Sequence, residues 1–376
     1  MKQIYNYCIG VLFVFSSTCV TVFSQNDQIT QTLISESNCP TTQAIYKTDS
    51  IARSEAEIQI CRELEKMHKR MRTIHPDYLK VGDSVGIMTV SSPVSQSREK
   101  ADSLIDIVRS WGLKVRLGEN LFKHEDGAFS VSDMERGEEL QRMIDNDNLK
   151  AIIFYRGGYG AIRTLDYVDF SRLKKHPKWM LGFSDLTTYL SIFCNMNLES
   201  IHCAMLNSFS LANPVMDIDT RTTRAALFGE IQRYDVEPNE YNQSGEVEGV
   251  IVGGNMSLMA VSHGTPYDLK IGENNILYIE EVDENMNTID RFMQQLKKSG
   301  KLSKVKGMII GNFVRAKDTG GWDVSIYDLI KTYTQELDIP VLYGLRSGHG
   351  KINHALYFGQ PVKMIVSPEG SSIIFE

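Results

Sequence analysis

Apolar residues along this chain fall into short runs separated by amphipathic stretches, and that alternation sets the fold expectation. Leu79–Pro93 opens with a turn and a buried strand. Arg98–Trp111 then has helical periodicity, Lys114–Leu117 strand character, Ser132–Asp145 helical periodicity, and Ala151–Tyr155 and Lys178–Phe183 are strand-length apolar runs, the second followed by a helix over Leu186–Asn195. Strands joined by helices of this length predict right-handed crossovers and a parallel sheet covered on both faces.

The pattern weakens between 208 and 246, where a helix over Asp217–Phe228 is followed by the polar stretch Glu237–Gly245. It then resumes with strands at Val247–Val252, Asn275–Glu280, Gly307–Ile310 and Pro340–Tyr343. Helices are expected from Met256, over Thr288–Ser299 and over Val324–Leu337, with short strands from Ala355 onward. The expected class is α/β, with an N-terminal, mostly parallel sheet and flanking helices. The expected division is a signal peptide at 1–24, a polar leader and amphipathic helix at 25–74, an N-terminal domain at 75–207, a linker at 208–246 and a C-terminal domain at 247–376.

The first residues have the form of an export signal. Lys2 precedes an apolar run over Ile9–Phe15, and Val22–Ser24 before Gln25 suits cleavage. The run is short for a membrane span. Cys19 offers the alternative of a lipidated N-terminus. Removal of Lys2 with the leader takes the formal charge from −7 to −8, and no basic stripe argues for nucleic acid. Between Asp49 and Arg72, residues Ile51, Ile58, Cys61, Leu64, Met67 and Met71 trace an apolar helical stripe suited to docking on the main body or to a homodimer contact. Of the 6 cysteines, Cys39, Cys61, Cys194 and Cys203 lie beyond the leader. Their spacing, like that of the histidines, suggests no metal site, and no cofactor is expected.

Two loops carry the candidate chemistry. Tyr155–Gly160 (Tyr-Arg-Gly-Gly-Tyr-Gly) and Gly182–Thr187 (Gly-Phe-Ser-Asp-Leu-Thr) each follow a strand, the position where parallel sheets bind ligands. Ser184 falls at a helix start, whose N–H groups and positive dipole end favour an alkoxide or oxyanion. Asp185 is placed to cap that helix. The same residues also make an ordinary cap and an ordinary tight turn, or a phosphate cradle, and Leu186 breaks the Gly-x-Ser-x-Gly elbow.

From about Leu79 to the C-terminus the chain resembles the LD-carboxypeptidase family of serine peptidases, which trim the terminal D-alanine from murein tetrapeptides. The resemblance rests on Gly82-Asp with Ser-Ser-Pro93, Arg156-Gly-Gly-Tyr-Gly160, Gly182-Phe-Ser-Asp185, Gly253-Gly-Asn-x-Ser257, Glu280-Glu281 with Asp290-Arg291, and Ser347-Gly-His-Gly350. It implies an N-terminal α/β domain that carries Ser184 as nucleophile and a smaller C-terminal α/β domain that carries part of the active site, Glu280 as acid and His349 as base, with an oxyanion hole from the backbone N–H of Asp185 and one from Gly157 or Gly158. The chemistry asks for these types, because a serine hydroxyl needs a base and the base an orienting carboxylate. Glu281, Asp283 and Glu284 crowd the same strand end and are expected to be solvated or engaged with Arg291.

A free terminal carboxylate calls for an arginine, for which Arg156, Arg163 and Arg346 are candidates. Tyr159, Asn255 and His202 complete the substrate-binding candidates. His202 lies in Ile201–Met205, where the family often has His-Gly-Pro and this chain has His-Cys-Ala. The expected function is an exported serine carboxypeptidase acting on muropeptides through an acyl-enzyme. Alternatives are hydrolysis of peptidyl or aminoacyl adenylate analogues, as in microcin self-immunity, and muropeptide binding without turnover.

Overall fold

The computed structural model describes the backbone of four strands within residues 7–34, and residues 73–125, 127–316 and 321–375 in full. The first of its two compact units, Met1–Arg70, contains the antiparallel strands β1 (Tyr7–Cys8), β2 (Val11–Ser16), β3 (Cys19–Ser24) and β4 (Gln31–Ile34), paired in that order. They pass through the stretch read as an export signal. The amphipathic helix expected between Asp49 and Arg72 lies outside the described residues, as do Cys39 and Cys61.

The second unit, Met71–Glu376, contains two further sheets. In the first, β5 (Ser84–Met88), β6 (Lys114–Leu117), β7 (Leu149–Phe154), β8 (Trp179–Gly182) and β9 (Ser200–His202) are parallel and lie in the order β6-β5-β7-β8-β9. Central strands β7 and β8 are nearly continuous buried apolar runs, as a sheet covered on both faces requires, whereas edge strand β6 stays half exposed. Helix α1 (Arg98–Ser110) follows β5. Helix α2 (Asp133–Asp145) follows β6 and starts on a capping box between Ser132 and Glu135. Helix α3 (Thr187–Asn195) follows β8. The chain turns to opposite sides of β5 when it lays down β6 and β7, so their loops part at the carboxyl edge and leave a crevice there.

After α4 (Ile218–Leu227) and β10 (Arg233–Val236), the second sheet takes β11 (Gly245–Asn255), β12 (Asn275–Val282), β13 (Gly307–Val314) and β14 (Val341–Tyr343) in parallel. Helices α5 (Met256–Ser262), α6 (Met286–Lys298) and α7 (Ile326–Thr334) make the crossovers. Strand β15 (Leu356–Phe358) returns to pair antiparallel with β9 of the first sheet, and β16 (Pro361–Ser367) and β17 (Gly370–Phe375) complete the second. The fold is α/β, with a mostly parallel first sheet and a mixed second sheet, parallel over β11–β14 and antiparallel through β16, β17 and β10.

The segment read as a linker is ordered structure. Its strand β10 pairs along β17, and the α4 carbonyl of Ala226 accepts a hydrogen bond from Tyr357 Oη at 2.7 Å. The polar run after β10 is a loop, tied to the second sheet where Gln243 and Val341 exchange backbone hydrogen bonds at 3.0 Å.

Strand β12 is shared between two cores. Ile276 and Tyr278 belong to a cluster continuous with the first sheet, while Leu277 and Ile279 pack with Met259, Ile289 and Met293 beneath the crossover helices. This period of two decides what happens at the strand's end.

Candidate active site

Buried strand β8 ends at Phe183 in an extended conformation, and Ser184 then takes φ +60° before a single 3₁₀ turn over Ser184–Leu186 leads into α3. The left-handed region costs a non-glycine residue about 1–2 kcal/mol. That strain turns the serine out of the strand line at the sheet's carboxyl edge. The backbone thus makes a strained strand-to-helix turn although Leu186 replaces the second glycine of the usual motif.

Asp185 does not cap α3. Its side chain is buried and turned inward, where Oδ2 accepts from Ser91 Oγ at 2.6 Å and from the Ala161 N–H at 2.8 Å. It therefore ties together the loops after β5, β7 and β8. Burial raises its pKa, against the opposing hydrogen bonds from Ser91 and Ala161. The Gly157–Gly158 turn lies against this serine. A Cβ at Gly157 would sit 3.4 Å from Ser184 Oγ, and Gly158, at φ +119°, has Ser92 Oγ where its Cβ would be. Side chains are excluded there, which leaves backbone facing the hydroxyl.

Glu280 follows the parity of Tyr278 and so faces the first sheet, fully buried. Its Oε2 accepts from the His349 backbone N–H at 2.9 Å and from His349 Nδ1 at 2.7 Å. Burial alone would push this carboxyl up, but the hydrogen bond and charge of His349 outweigh it and hold the pKa below the ordinary value. A carboxylate only accepts, so Nδ1 carries the proton and Nε2 presents its lone pair to Ser184 Oγ, 3.1 Å away. Gly348 is needed beside them, because at φ +92° its Cβ would lie 2.6 Å from Glu280 Cγ. The loop bearing His349 is closed by Asn353, whose Oδ1 accepts from the Gly348 N–H at 2.8 Å. The Asn353 N–H in turn donates to Asp219 Oδ1 at 2.7 Å.

Of the other acidic residues, Asp283 is exposed as expected, whereas Glu281 departs from expectation. Glu281 is neither solvated nor paired with Arg291. It is buried on the helix side, where its oxygens accept from Asn255 Nδ2 at 2.8 Å, the Ser257 N–H and Oγ at 2.7 Å each, and the Val282 N–H at 2.8 Å. Burial raises its pKa against those donors. Asp283 pairs with Arg315 at 2.6 Å.

Among the binding candidates, Arg156 donates to the Pro93 carbonyl at 2.9 Å and to Ser95 Oγ at 3.0 Å, Arg163 is held by Asp133 at 2.7 Å, and Arg346 is exposed. Tyr159 is 56% exposed and rests on the Phe129 ring. Asn255 is not presented to the cleft. It is buried, with its Oδ1 capping α5 through the Leu258 N–H and its amide bound to Glu281. His202 is also withdrawn, at zero exposure, stacked on Phe358 and edge-on to Tyr278 and Phe183. Burial lowers its pKa to about 4, and neither ring nitrogen has a hydrogen-bond partner among the described residues. The His-Cys-Ala that stands where the family often has His-Gly-Pro is thus buried rather than exposed in the cleft.

Beside His349 opens a cleft of about 530 Å³ whose lining includes Phe183, Asp219, Asn353, Arg315 and Lys351. Among the described residues no three His, Cys, Asp or Glu side chains converge as a metal would require, and no helix is long and apolar enough to cross a membrane.

The LD-carboxypeptidase N-terminal domain model matches residues 85–203, and the LD-carboxypeptidase C-terminal domain model matches residues 248–364. The chain belongs to the LD-carboxypeptidase family. Ser184 lies in the matched N-terminal domain, and Glu280 and His349 in the matched C-terminal domain. A probable murein peptide carboxypeptidase of Bacillus subtilis is 31% identical over 77% of this chain and 91% of its own length. The microcin C7 self-immunity protein of Escherichia coli is 24% identical over 72% of this chain and 87% of its own length. The crystal structure of muramoyltetrapeptide carboxypeptidase from Oxalobacter formigenes superposes with a TM-score of 0.69 at 25% identity, covering 78% of this chain and 98% of that one.

Sequence reasoning passed over Asp185 as a loop tie, Asn353 as the closure of the histidine loop, and Asp219 as a cleft residue. Asn353 was within reach, four positions after His349 in a Gly-His-Gly loop that needs an acceptor for its backbone N–H groups. Asp219 carried no signal, because it enters from a helix far away in sequence.

Proposed function

We propose that this LD-carboxypeptidase family member is an exported serine carboxypeptidase that releases terminal D-alanine from murein tetrapeptides through an acyl-enzyme. The observation that carries the reading is the unbroken chain from Ser184 Oγ to His349 Nε2 at 3.1 Å and from His349 Nδ1 to Glu280 at 2.7 Å. In this scheme Oγ attacks the carbonyl carbon of the L-to-D peptide bond while its proton passes to Nε2. The oxyanion is met by the N–H groups of Asp185 and of Gly157 or Gly158. Collapse breaks the C–N bond, and Nε2 returns the proton to the amine of the departing D-alanine. Water then gives its proton to Nε2 and attacks the ester, freeing the tripeptide and the serine. Glu280 stabilises the imidazolium formed in each half-reaction, in a setting where burial strengthens the interaction. Of the three arginines, Arg163 is already engaged with Asp133, which leaves Arg156 and Arg346 for the substrate's terminal carboxylate.

Incubating the purified protein with disaccharide tetrapeptide and weighing the products tests the reading. Loss of one alanine supports it. A second reading, hydrolysis of aminoacyl adenylate analogues, draws on the similarity to the microcin self-immunity protein. Cleavage of aspartyl sulfamoyl adenosine with the tetrapeptide left intact would turn the assignment to it, and cleavage of neither would leave a binding protein. Export draws on the leader pattern of residues 1–24. An intact mass beginning at Gln25 supports it, a lipid-modified Cys19 replaces it with anchoring, and a Met1 form confined to the cytosol removes it.

A further inference from the structure

The Gly157–Gly160 turn beside Ser184 is poorly fixed by its own chain, because Gly158 at φ +119° and Gly160 at φ +128° leave its peptide planes free to turn over. What holds it comes from outside. The peptide bond between Gly160 and Ala161 is gripped at both ends: its N–H donates to Asp185 Oδ2 at 2.8 Å, and its carbonyl accepts from Arg136 Nη1 at 3.3 Å and from the Arg163 backbone N–H at 3.1 Å. The same two side chains hold the loop after β5, where Arg136 Nη1 also donates to the Val90 carbonyl and Asp185 Oδ2 accepts from Ser91 Oγ at 2.6 Å. Ser92 adds a further tie, its Oγ accepting the Tyr159 N–H at 3.3 Å. Arg136 is wholly buried on α2, with Nε on the Val131 carbonyl at 3.2 Å, Nη2 paired with Asp133, and the guanidinium 4.3 Å above the Phe129 ring. Gly160 admits it, since a Cβ there would lie 2.8 Å from Nη1. An apolar side chain would fill that space without the desolvation penalty of a guanidinium, so what distinguishes Arg136 is the fork of donors it brings.

We infer that Arg136 and the Asp185 side chain are positioning residues for the oxyanion hole, a two-sided clamp that fixes the 160–161 peptide and with it the Gly157 and Gly158 N–H groups beside Ser184. The inference rests on the hydrolase reading above and deepens it by naming what orients one of the two oxyanion donors. The other donor is the backbone N–H of Asp185, so the residue that lends its own N–H to the oxyanion also anchors, through its side chain, the turn that lends the second. Both side chains are buried beneath the loops, so their contribution is preorganisation: donors held where charge develops need no rearrangement as it forms. The charge of Arg136 supports the arrangement by offsetting part of the burial penalty on the Asp185 carboxyl.

The test compares Asp185→Ala, Asp185→Asn and Arg136→Lys with wild type on disaccharide tetrapeptide. Asp185→Ala releases Ser91 and the Ala161 N–H, and it is expected to lower kcat by about 10- to 100-fold with KM within about twofold. Asp185→Asn keeps a carbonyl oxygen for both donors and should restore most of that loss. Arg136→Lys keeps the charge but not the fork that reaches two carbonyls, and should repeat the fall in kcat; where it does not fold, the Asp185 pair decides. A melting temperature that drops while kcat stays at the wild-type value, a loss confined to KM, or an asparagine variant no better than alanine would overturn the clamp. Hydrogen exchange read by mass spectrometry separates this inference from the reaction. Amides of 157–161 should exchange faster in Asp185→Ala than in wild type and Asp185→Asn, with the rest of the chain unchanged. If wild type cleaves no tetrapeptide the hydrolase reading falls, and the exchange still decides the clamp: local speeding sustains it, and unchanged exchange overturns it.

Discussion

Glu280 and Glu281 are adjacent on β12 and both buried, yet they serve opposite layers: Glu280 accepts from His349 toward the first sheet, and Glu281 accepts from Asn255 and Ser257 toward α5. Their amide variants should therefore fail in different measurements. Glu280→Gln removes the charge that stabilises an imidazolium, so kcat should fall by roughly two to four orders of magnitude. Glu281→Gln replaces an acceptor of four hydrogen bonds with one that must turn an NH₂ toward donors, at a cost of about 1–3 kcal/mol. Its melting temperature should drop while kcat stays close to wild type. Kinetics and melts on the two proteins decide the matter, and a reversed pair of results would move the acid to Glu281.

Ser184 offers a second separation of activity from stability. Ser184→Ala should abolish turnover with the melting temperature nearly kept, because the residue's strain lies in its backbone at φ +60°. Ser184→Gly should be equally inactive but more stable than Ser184→Ala by about 1 kcal/mol, since glycine adopts that region without penalty. Loss of folding in the alanine variant, or residual full activity, would remove Ser184 as nucleophile.

Most strands and helices were legible because apolar runs and a clean helical period mark them, but the short strands β9 and β10 carry no such run and were not expected. The loops that hold Ser184 and His349 were legible through glycines that close packing requires, at Gly157 and Gly348. Facing on β12 was also readable, from strand alternation. What escaped was long-range pairing. Asp185 has the sequence position of a cap and becomes a loop tie because Ser91 and Ala161 arrive from other strands. Glu281 has the sequence position of a solvated strand end and is buried because the N-terminus of α5 folds over it. The 208–246 segment looked like a tether because its run Glu237–Ser244 is polar, but strand β10 just before that run pairs with β17 at the far end of the chain.

His202 should make the protein sensitive to acid. Its folded pKa is lowered by burial to about 4 from 6.5, so between those values the unfolded chain binds more protons. The stability that its neutral form contributes is complete above pH 6.5 and is lost as pH falls toward 4, by up to roughly 3 kcal/mol. His202→Phe places an apolar ring among Phe183, Tyr278 and Phe358 and removes the titration. Urea unfolding across pH 4–8 should show the variant gaining on wild type only below pH 6.5. A difference independent of pH would mean that the ring is hydrated and not the buried neutral base described.

Asp219 should act with the opposite sign. Burial raises its folded pKa to about 6 from 3.8, so in that window the folded protein holds the extra proton. Stability from this group is present below pH 3.8 and is lost as pH rises through 6, by roughly 2–3 kcal/mol in all. An amide does not titrate, so the stability of Asp219→Asn relative to wild type should climb between pH 4 and 6 and stay level above. If the variant's advantage were flat across pH, the carboxyl would be solvated in the folded state rather than desolvated beside Asn353.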